Sequence, residues 1–187
     1  QKIWNNSWVG TLGSTSSDHD LLRRLDWVVS RDDVVAVVGL NNGTQQQPLP
    51  SYGFNSIAVG CRDGDHASGD VPAPYEGSGR MRPDLVAPLF TTSESTATVS
   101  AAVAMLVEQV RDAANALHAD GERPEVIKAV LMASATHNGI IGETWSNDAA
   151  VDGTDRGITV RPIDATVGAG HVNVDQAHLL MSGGKQT

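Results

Sequence analysis

"PDLVAPLFTTSESTATVSAAVAML", residues 83–106, decides how the chain is read. It opens as a Pro-bounded apolar strand, turns through a hydroxyl-rich segment and continues as small and apolar residues at helical spacing. Thr91, Thr92, Ser93, Ser95, Thr96 and Thr98 all fall in or beside the turn. Hydroxyls gather at helix N-termini for capping alone, because their oxygens accept from backbone N–H groups that lack intrahelical partners. A nucleophile on the turn is the competing reading, and the rest of the chain has to choose.

Upstream, "DVVAVVGL" (residues 33–40) and "SIAVGC" (56–61) are apolar runs bounded by turn residues, as expected of strands buried on both faces. Residues 3–9 carry β-favouring Ile, Trp and Val and stop at Gly10; the "GTLGSTSSDHD" loop then ends in a helix N-cap signal at Ser17 or Asp18. "LLRRLDWVVS" places Leu21, Leu22, Leu25, Val28 and Val29 on one stripe, which predicts a crossover helix covering a sheet. Residues 63–82, rich in Gly, Pro and Asp, read as a long surface loop.

Downstream, the helical spacing runs from about residue 93 to 117. Its opening half, 97–104, is apolar on nearly every side, and Glu108, Arg111 and Asp112 mark its emergence toward solvent. "ERPEVIKAVLMASAT" is a second helix, with Pro124 in the first turn and a Val126, Ala129, Val130, Ala133 face. A polar hairpin-like region leads to Gly170, and "NVDQAHLLM" makes a short last helix. Strands alternating with helices predict one α/β domain over 1–187, with a mainly parallel sheet.

Composition narrows the function classes. The chain has 187 residues, 40% of them hydrophobic and 19% charged, an ordinary balance for a globular core. Its formal net charge of −9 argues against a nucleic-acid or anionic-membrane partner. No apolar stretch is long enough to span a bilayer. The single cysteine, Cys61, rules out an internal disulfide framework and a cysteine metal cage. "QKIWNNSWVG" reads as mid-domain strand sequence, so the chain is expected to begin inside a larger domain.

Several motifs, met in order, carry a family resemblance. "NNSW" with Gly10 is similar to an Asn-x-Ser-x-Gly strand, and "VVAVVGLNNG" to a strand ending in Ala-Gly-Asn-x-Gly. "PSYGFNSIAVGCRDG" matches an Ile-x-Val-Gly strand, and "RPDLVAP" a Pro-Asp-Val-x-Ala-Pro run. "TTSESTATVSAAVAML" is similar to Gly-Thr-Ser-x-Ala-x-Pro-x-Val-x-Gly-Ala-Ala-x-Leu; "EVIKAVLMASA" and "GAGHVNVDQA" match a closing helix and a Gly-x-Gly-x-Val-Asn turn. Together they resemble the subtilisin-like serine proteases over nearly the whole chain, which corresponds to the second half or more of the family's catalytic domain. The resemblance implies a three-layer α/β/α fold truncated at its N-terminus, no cofactor, no metal, a polypeptide substrate and a location outside the cell or in its envelope.

It also implies roles. Aligned on Val99, the motif puts the catalytic serine at Ser93, at the N-terminus of the buried helix, where free N–H groups face a developing oxyanion. Asn41 is the implied oxyanion donor, chosen over Asn42 because the match runs Asn-x-Gly into Gly43; a plain Asn-Gly turn is the alternative. Ser7, Trp8, Val9, Val38, Gly39 and Leu40 would be the backbone walls of the pocket beside the scissile bond, or else ordinary core strand.

The departures are specific. Thr91 and Leu40 stand where the family has glycine, which puts close backbone approach in question. Ala97 replaces proline, and Glu94 an apolar residue. A Ser/His/Asp mechanism needs a histidine to take the serine proton and an aspartate to orient it. The family's Asp-x-Gly and His-Gly-x-His contexts for them are absent, so both are expected upstream, and the isolated chain is expected to be inactive. His19, His66, His118, His137, His171 and His178 all lack the family's flanks; His66 is the one in a polar loop that could overhang the site. Asp33 and Asp84 read as strand-end residues bonded to turn backbone. "DGDHASGD" suggests calcium through Asp63, Asp65 and Asp70, but Ala67 and Pro74 occupy two positions where an EF-hand loop has ligands. The alternatives are a catalytically inactive subtilase fold kept for binding or scaffolding, and an unrelated α/β small-ligand binder. The ordered motifs argue against the second.

Overall fold

Val34–Gly39 is the strand that sets the architecture, because all six residues are buried and none can face water on either side of a sheet. The computed structural model describes residues 2–62, 64–77, 79–112, 120–137, 144–147 and 161–183. Along them run β1 (Lys2–Asn6), α1 (Thr15–Asp32), β2 (Val34–Gly39), β3 (Ile57–Cys61), β4 (Gly69–Asp70), a 3-10 turn (Ala73–Tyr75), β5 (Met81–Arg82), β6 (Leu85–Ala87), α2 (Thr92–Arg111), α3 (Pro124–Ala133) and α4 (Val174–Gly183). The main sheet has the order β1-β2-β3-β6 with every pair parallel, and β4 and β5 form a separate antiparallel pair.

The strand period of two divides the sheet into faces. Val35 and Val37, Ile57 and Val59, and Leu85 and Ala87 share one core with Val99, Val103, Leu106 and Val107 of α2, Ile127 and Leu131 of α3, and Ala177 and Met181 of α4. Val34, Ala36 and Val38 point the other way, and α1 packs on β2 with Leu22 and Val29 buried. The result is the expected α/β/α stack.

Several local expectations shift. β1 stops at Asn6 rather than residue 9; the chain then leaves the sheet, and Gly10 pairs with Leu49 instead, N to O at 2.9 and 3.0 Å. The N-cap of α1 is Ser14, whose hydroxyl accepts from the Ser17 N–H at 3.2 Å. Asp18 cannot be that cap, since its buried carboxylate takes the Leu12 N–H, the Thr11 hydroxyl and the Tyr75 hydroxyl. Burial pushes the Asp18 carboxyl up, but those donors together hold it below its ordinary value. On α2, Ala97, Ala101 and Ala104 are exposed, because alanine suits either face and cannot mark the buried one; residues 113–119 lie outside the described set. The buried face of α3 is Pro124, Ile127 and Leu131, with Ala129 and Ala133 exposed. The 63–82 stretch is not all surface, since His66, Ala67, Val71, Met81 and Arg82 are buried. Of the hairpin-like region, 138–143 and 148–160 lie outside the described residues.

At the amino edge of the sheet the polar groups close on one another. Buried Asp84 accepts from Arg82 Nη1 at 3.0 Å, Lys128 Nζ at 3.0 Å and the Ala58 N–H at 2.7 Å. Arg82 also donates to the carbonyls of Ser51, Met81 and Gly53, and Lys128 to that of Ser56. Asp84 thus carries ion pairs as well as the backbone bond expected of it. Burial alone would raise its carboxyl, yet the two cations and the Ala58 N–H keep it below the usual range.

Candidate active site

The carboxyl ends of β1, β2, β3 and β6 open onto the segments that hold most of the candidate residues, which is where open parallel sheets place their ligands. Four residues after the end of β6, Thr91 caps α2. Its hydroxyl accepts from the Glu94 N–H at 3.3 Å, while the Glu94 carboxylate accepts from the Thr91 N–H and hydroxyl at 3.3 and 2.9 Å, a closed capping box. The backbone of Thr91 is extended, at φ −123° and ψ 150°, and the described non-glycine residues with positive φ are Asp33 and Glu76. Thr91 and Leu40 therefore occupy the two glycine positions of the motif without strain.

The hydroxyls of the turn now separate. Thr92 donates to Asn42 Oδ1, Ser95 to the Ala87 carbonyl, Thr96 to the Thr92 carbonyl and Thr98 to the Glu94 carbonyl. Ser93 alone has a hydroxyl with no hydrogen-bond partner among the described residues, and it is partly exposed. The first-turn N–H groups sort the same way. Thr92 N donates to Asn42 Oδ1 at 3.0 Å, Glu94 N to Thr91 and Ser95 N to the Thr91 carbonyl at 3.0 Å, which leaves the Ser93 N–H without an acceptor among the described residues. A free hydroxyl and a free N–H on one residue of a helix N-terminus suit attack on a carbonyl and stabilisation of the resulting oxyanion.

Around this point the expected residues divide. Ser7 reaches it directly, its hydroxyl 3.4 Å from the Ser93 carbonyl, and Trp8 beside it is half exposed. Val9 is half buried. Val38 and Leu40 are buried side chains, and Leu40 N donates to Val59 O. Gly39 is needed for the approach of α2, since a Cβ there would lie 2.9 Å from Thr96 Oγ1. Asn41 turns its amide away, donating to the Gln45 carbonyl at 2.9 Å. Asn42, which the Asn-x-Gly match passes over, is the residue that touches the helix N-terminus. Its Oδ1 takes both Thr92 donors, and its Nδ2 has no acceptor among the described residues. The Asn-Asn-Gly spelling could not separate the two, because the direction each side chain takes is set by the 64–67 segment and α2.

None of the described histidines is bonded to Ser93. His19 bonds the Pro74 carbonyl and stacks on Tyr75 at 5.3 Å, and His137 stacks on Trp145 at 4.0 Å. His171 is buried and His178 exposed on α4; His118 lies outside the described residues. His66 does not overhang the site as a base. It is 1% exposed, with Nδ1 accepting from Cys61 N and Nε2 facing the Thr166 carbonyl. Of the acidic loop, Asp63 lies outside the described residues, and Asp70 pairs with Arg161.

Comparison with solved structures extends beyond the site. The chain superposes over 98% of its length on the prenylagaramide maturation protease PagA, with a TM-score of 0.64 and 19% identity. The fold is that of a subtilisin-like protease domain. The self-cleaved protease domain of PatA aligns with 98% of the chain at a TM-score of 0.58 and 21% identity. A Ser-to-Ala mutant of the PatA protease domain aligns with 99% of it at 0.60 and 22%. The chain spans 63% of the length of PagA and of the self-cleaved PatA domain, and 61% of the mutant. No family model and no curated protein matches the sequence. In this subtilisin-like fold, the open parallel sheet delivers Ser7, Asn42 and Ser93 to one edge from three separate segments.

Proposed function

We propose that this chain carries the nucleophile-bearing part of a subtilisin-like serine endopeptidase. The observation that carries the reading is Ser93: every neighbouring hydroxyl of the turn is spent on the protein, while its own hydroxyl and N–H are unspent. Ser93 Oγ attacks the peptide carbonyl carbon as a general base takes its proton; the C–N bond breaks, the amine leaves with that proton, and water releases the acyl group. The Ser93 N–H and an amide from the 41–43 turn hold the oxyanion. The Asn41 amide is directed to the Gln45 carbonyl, whereas the Asn42 side chain contacts the helix N-terminus, and that contact favours Asn42.

The base and its aspartate belong to sequence outside this chain, so its partners are a polypeptide substrate and the remainder of the same domain. The isolated chain gives only the residual rate of an oxyanion hole and binding. Work outside the cell or in its envelope accords with the family resemblance. The test is fluorophosphonate labelling of the full-length protein, with mass spectrometry to locate the adduct. Label on Ser93 is expected; a folded, unlabelled protein would sink the reading in favour of a binding or scaffolding role.

A further inference from the structure

The 41–43 turn does not hold itself in place. It is paired to the loop after β3: Gly43 N donates to Asp65 O at 3.1 Å, Ala67 N to Asn41 O at 2.9 Å, and Asn42 bridges His66. That loop is in turn held by the Cys61 thiol, which donates to the Asp65 carbonyl at 3.5 Å, and by the buried His66 side chain. The His66 ring lies against Gly60, where even a Cβ would come within 2.5 Å of Nε2. Its Nδ1 accepts the Cys61 N–H at 3.2 Å and lies 3.5 Å from Cys61 Sγ; its Nε2 is 2.9 Å from the Thr166 carbonyl. A carbonyl can only accept and an N–H can only donate, so these partners assign the proton to Nε2 and require a lone pair on Nδ1.

We propose that His66 is a positioning residue, a neutral imidazole strut that fixes the amide-bearing 41–43 turn beside the N-terminus of α2 and releases it when protonated. A proton on Nδ1 would face the Cys61 N–H head-on, and the alternative acceptor that the described residues offer on that side is the Cys61 sulfur at 3.5 Å, too weak to replace the lost bond. The charged and titratable groups around the ring are the Cys61 thiol on β3 and the Asp65 carboxylate on its own loop, while the 161–170 segment presents the Thr166 carbonyl. Burial holds the imidazole below its ordinary 6.5, against the opposing pull of Thr166 and Asp65. The unfolded chain therefore takes up this proton before the folded one. The strut is complete above pH 6.5 and is lost as pH falls below that value through the folded-state pKa. The functional consequence rests on the proposed protease reading; the strut itself does not.

The test is therefore made on backbone exchange. In the full-length protein, amide hydrogen exchange at Gly43 and Ala67, corrected for intrinsic rates, is followed as pH is lowered, with 15N shifts reporting the His66 ring. Protection at both amides is expected to fall about tenfold or more together with ring protonation, while β2 and β3 stay protected. Asp65→Asn removes a favourable charge and should move the midpoint to lower pH; His66→Gln should make exchange at both sites independent of pH. Flat protection across the ring titration would overturn the proposal, as would a midpoint indifferent to Asp65→Asn or loss of protection only with the whole sheet. Because Ser93 takes no part in this readout, an unlabelled Ser93 and a failed strut are separate results.

Discussion

The two edges of the sheet are both polar, and they are built to opposite rules. At the amino edge Asp84, Arg82 and Lys128 are bonded to one another and to four neighbouring carbonyls, and the two partners of lowest exposure are 7% and 4% accessible. At the carboxyl edge Ser93 and the Asn42 amide keep unspent donors at an accessible helix terminus. A closed network of buried charge costs desolvation and returns it only while every partner is present. An open set costs little to keep and leaves its donors for a ligand. Satisfaction of the polar groups, more than their mere presence, tells structure from chemistry here.

Substitutions at the two edges should therefore behave as opposites. Ser93→Ala is expected to abolish fluorophosphonate labelling of the full-length protein while shifting denaturant stability by no more than about 0.5 kcal/mol, since its hydroxyl bonds none of the described residues. A stability loss well beyond that would place Ser93 on the structural side of the contrast. Asp84→Ala should destabilise by about 3–5 kcal/mol in urea unfolding, because it strands the buried Arg82 and the half-buried Lys128. The pH profile sharpens the point: the Asp84 carboxyl is held below 3.8, so its contribution is whole above that pH and is lost as pH falls through the folded value. Stability that proved flat under acid in the wild type and in Asp84→Asn alike would remove this edge from the comparison.

Asn42→Ala should slow labelling of Ser93 by about 10²-fold or more, with a stability cost of about 1–3 kcal/mol from the stranded Thr92 donors, and Asn41→Ala should slow it less. The reverse order would restore Asn41 as the donor. Thr91→Gly gives the smallest effect, a loss of about 0.3 kcal/mol as the capping box opens, read by thermal unfolding. A gain in stability there would mean that the box strains the turn instead of closing it.

The fold was legible where residue type leaves no choice. "VVAVVG" carries no polar side chain, so it could only be a strand covered on both faces, and β2 is that. The strand, hydroxyl turn and helix over 83–106 were likewise legible as β6, Thr91 and α2. Alanine was the weak witness: it gave α2 too many buried sides and put Ala129 and Ala133 on the wrong face of α3. The cap at Ser14 was missed because Asp18, the better-looking signal, was claimed by Thr11, Leu12 and Tyr75.

The sequence by itself determined the alternation of strands and helices, the mainly parallel sheet and the hydroxyl turn ahead of α2, because hydrophobic period and turn chemistry are local properties. Only the tertiary structure decided which hydroxyl is free, which asparagine touches the helix and that His66 is a strut with no access to the site. Those outcomes depend on partners 5 to 100 residues away, such as Thr166 for His66 and Asn42 for Thr92, and no local pattern encodes which donor a distant carbonyl will meet.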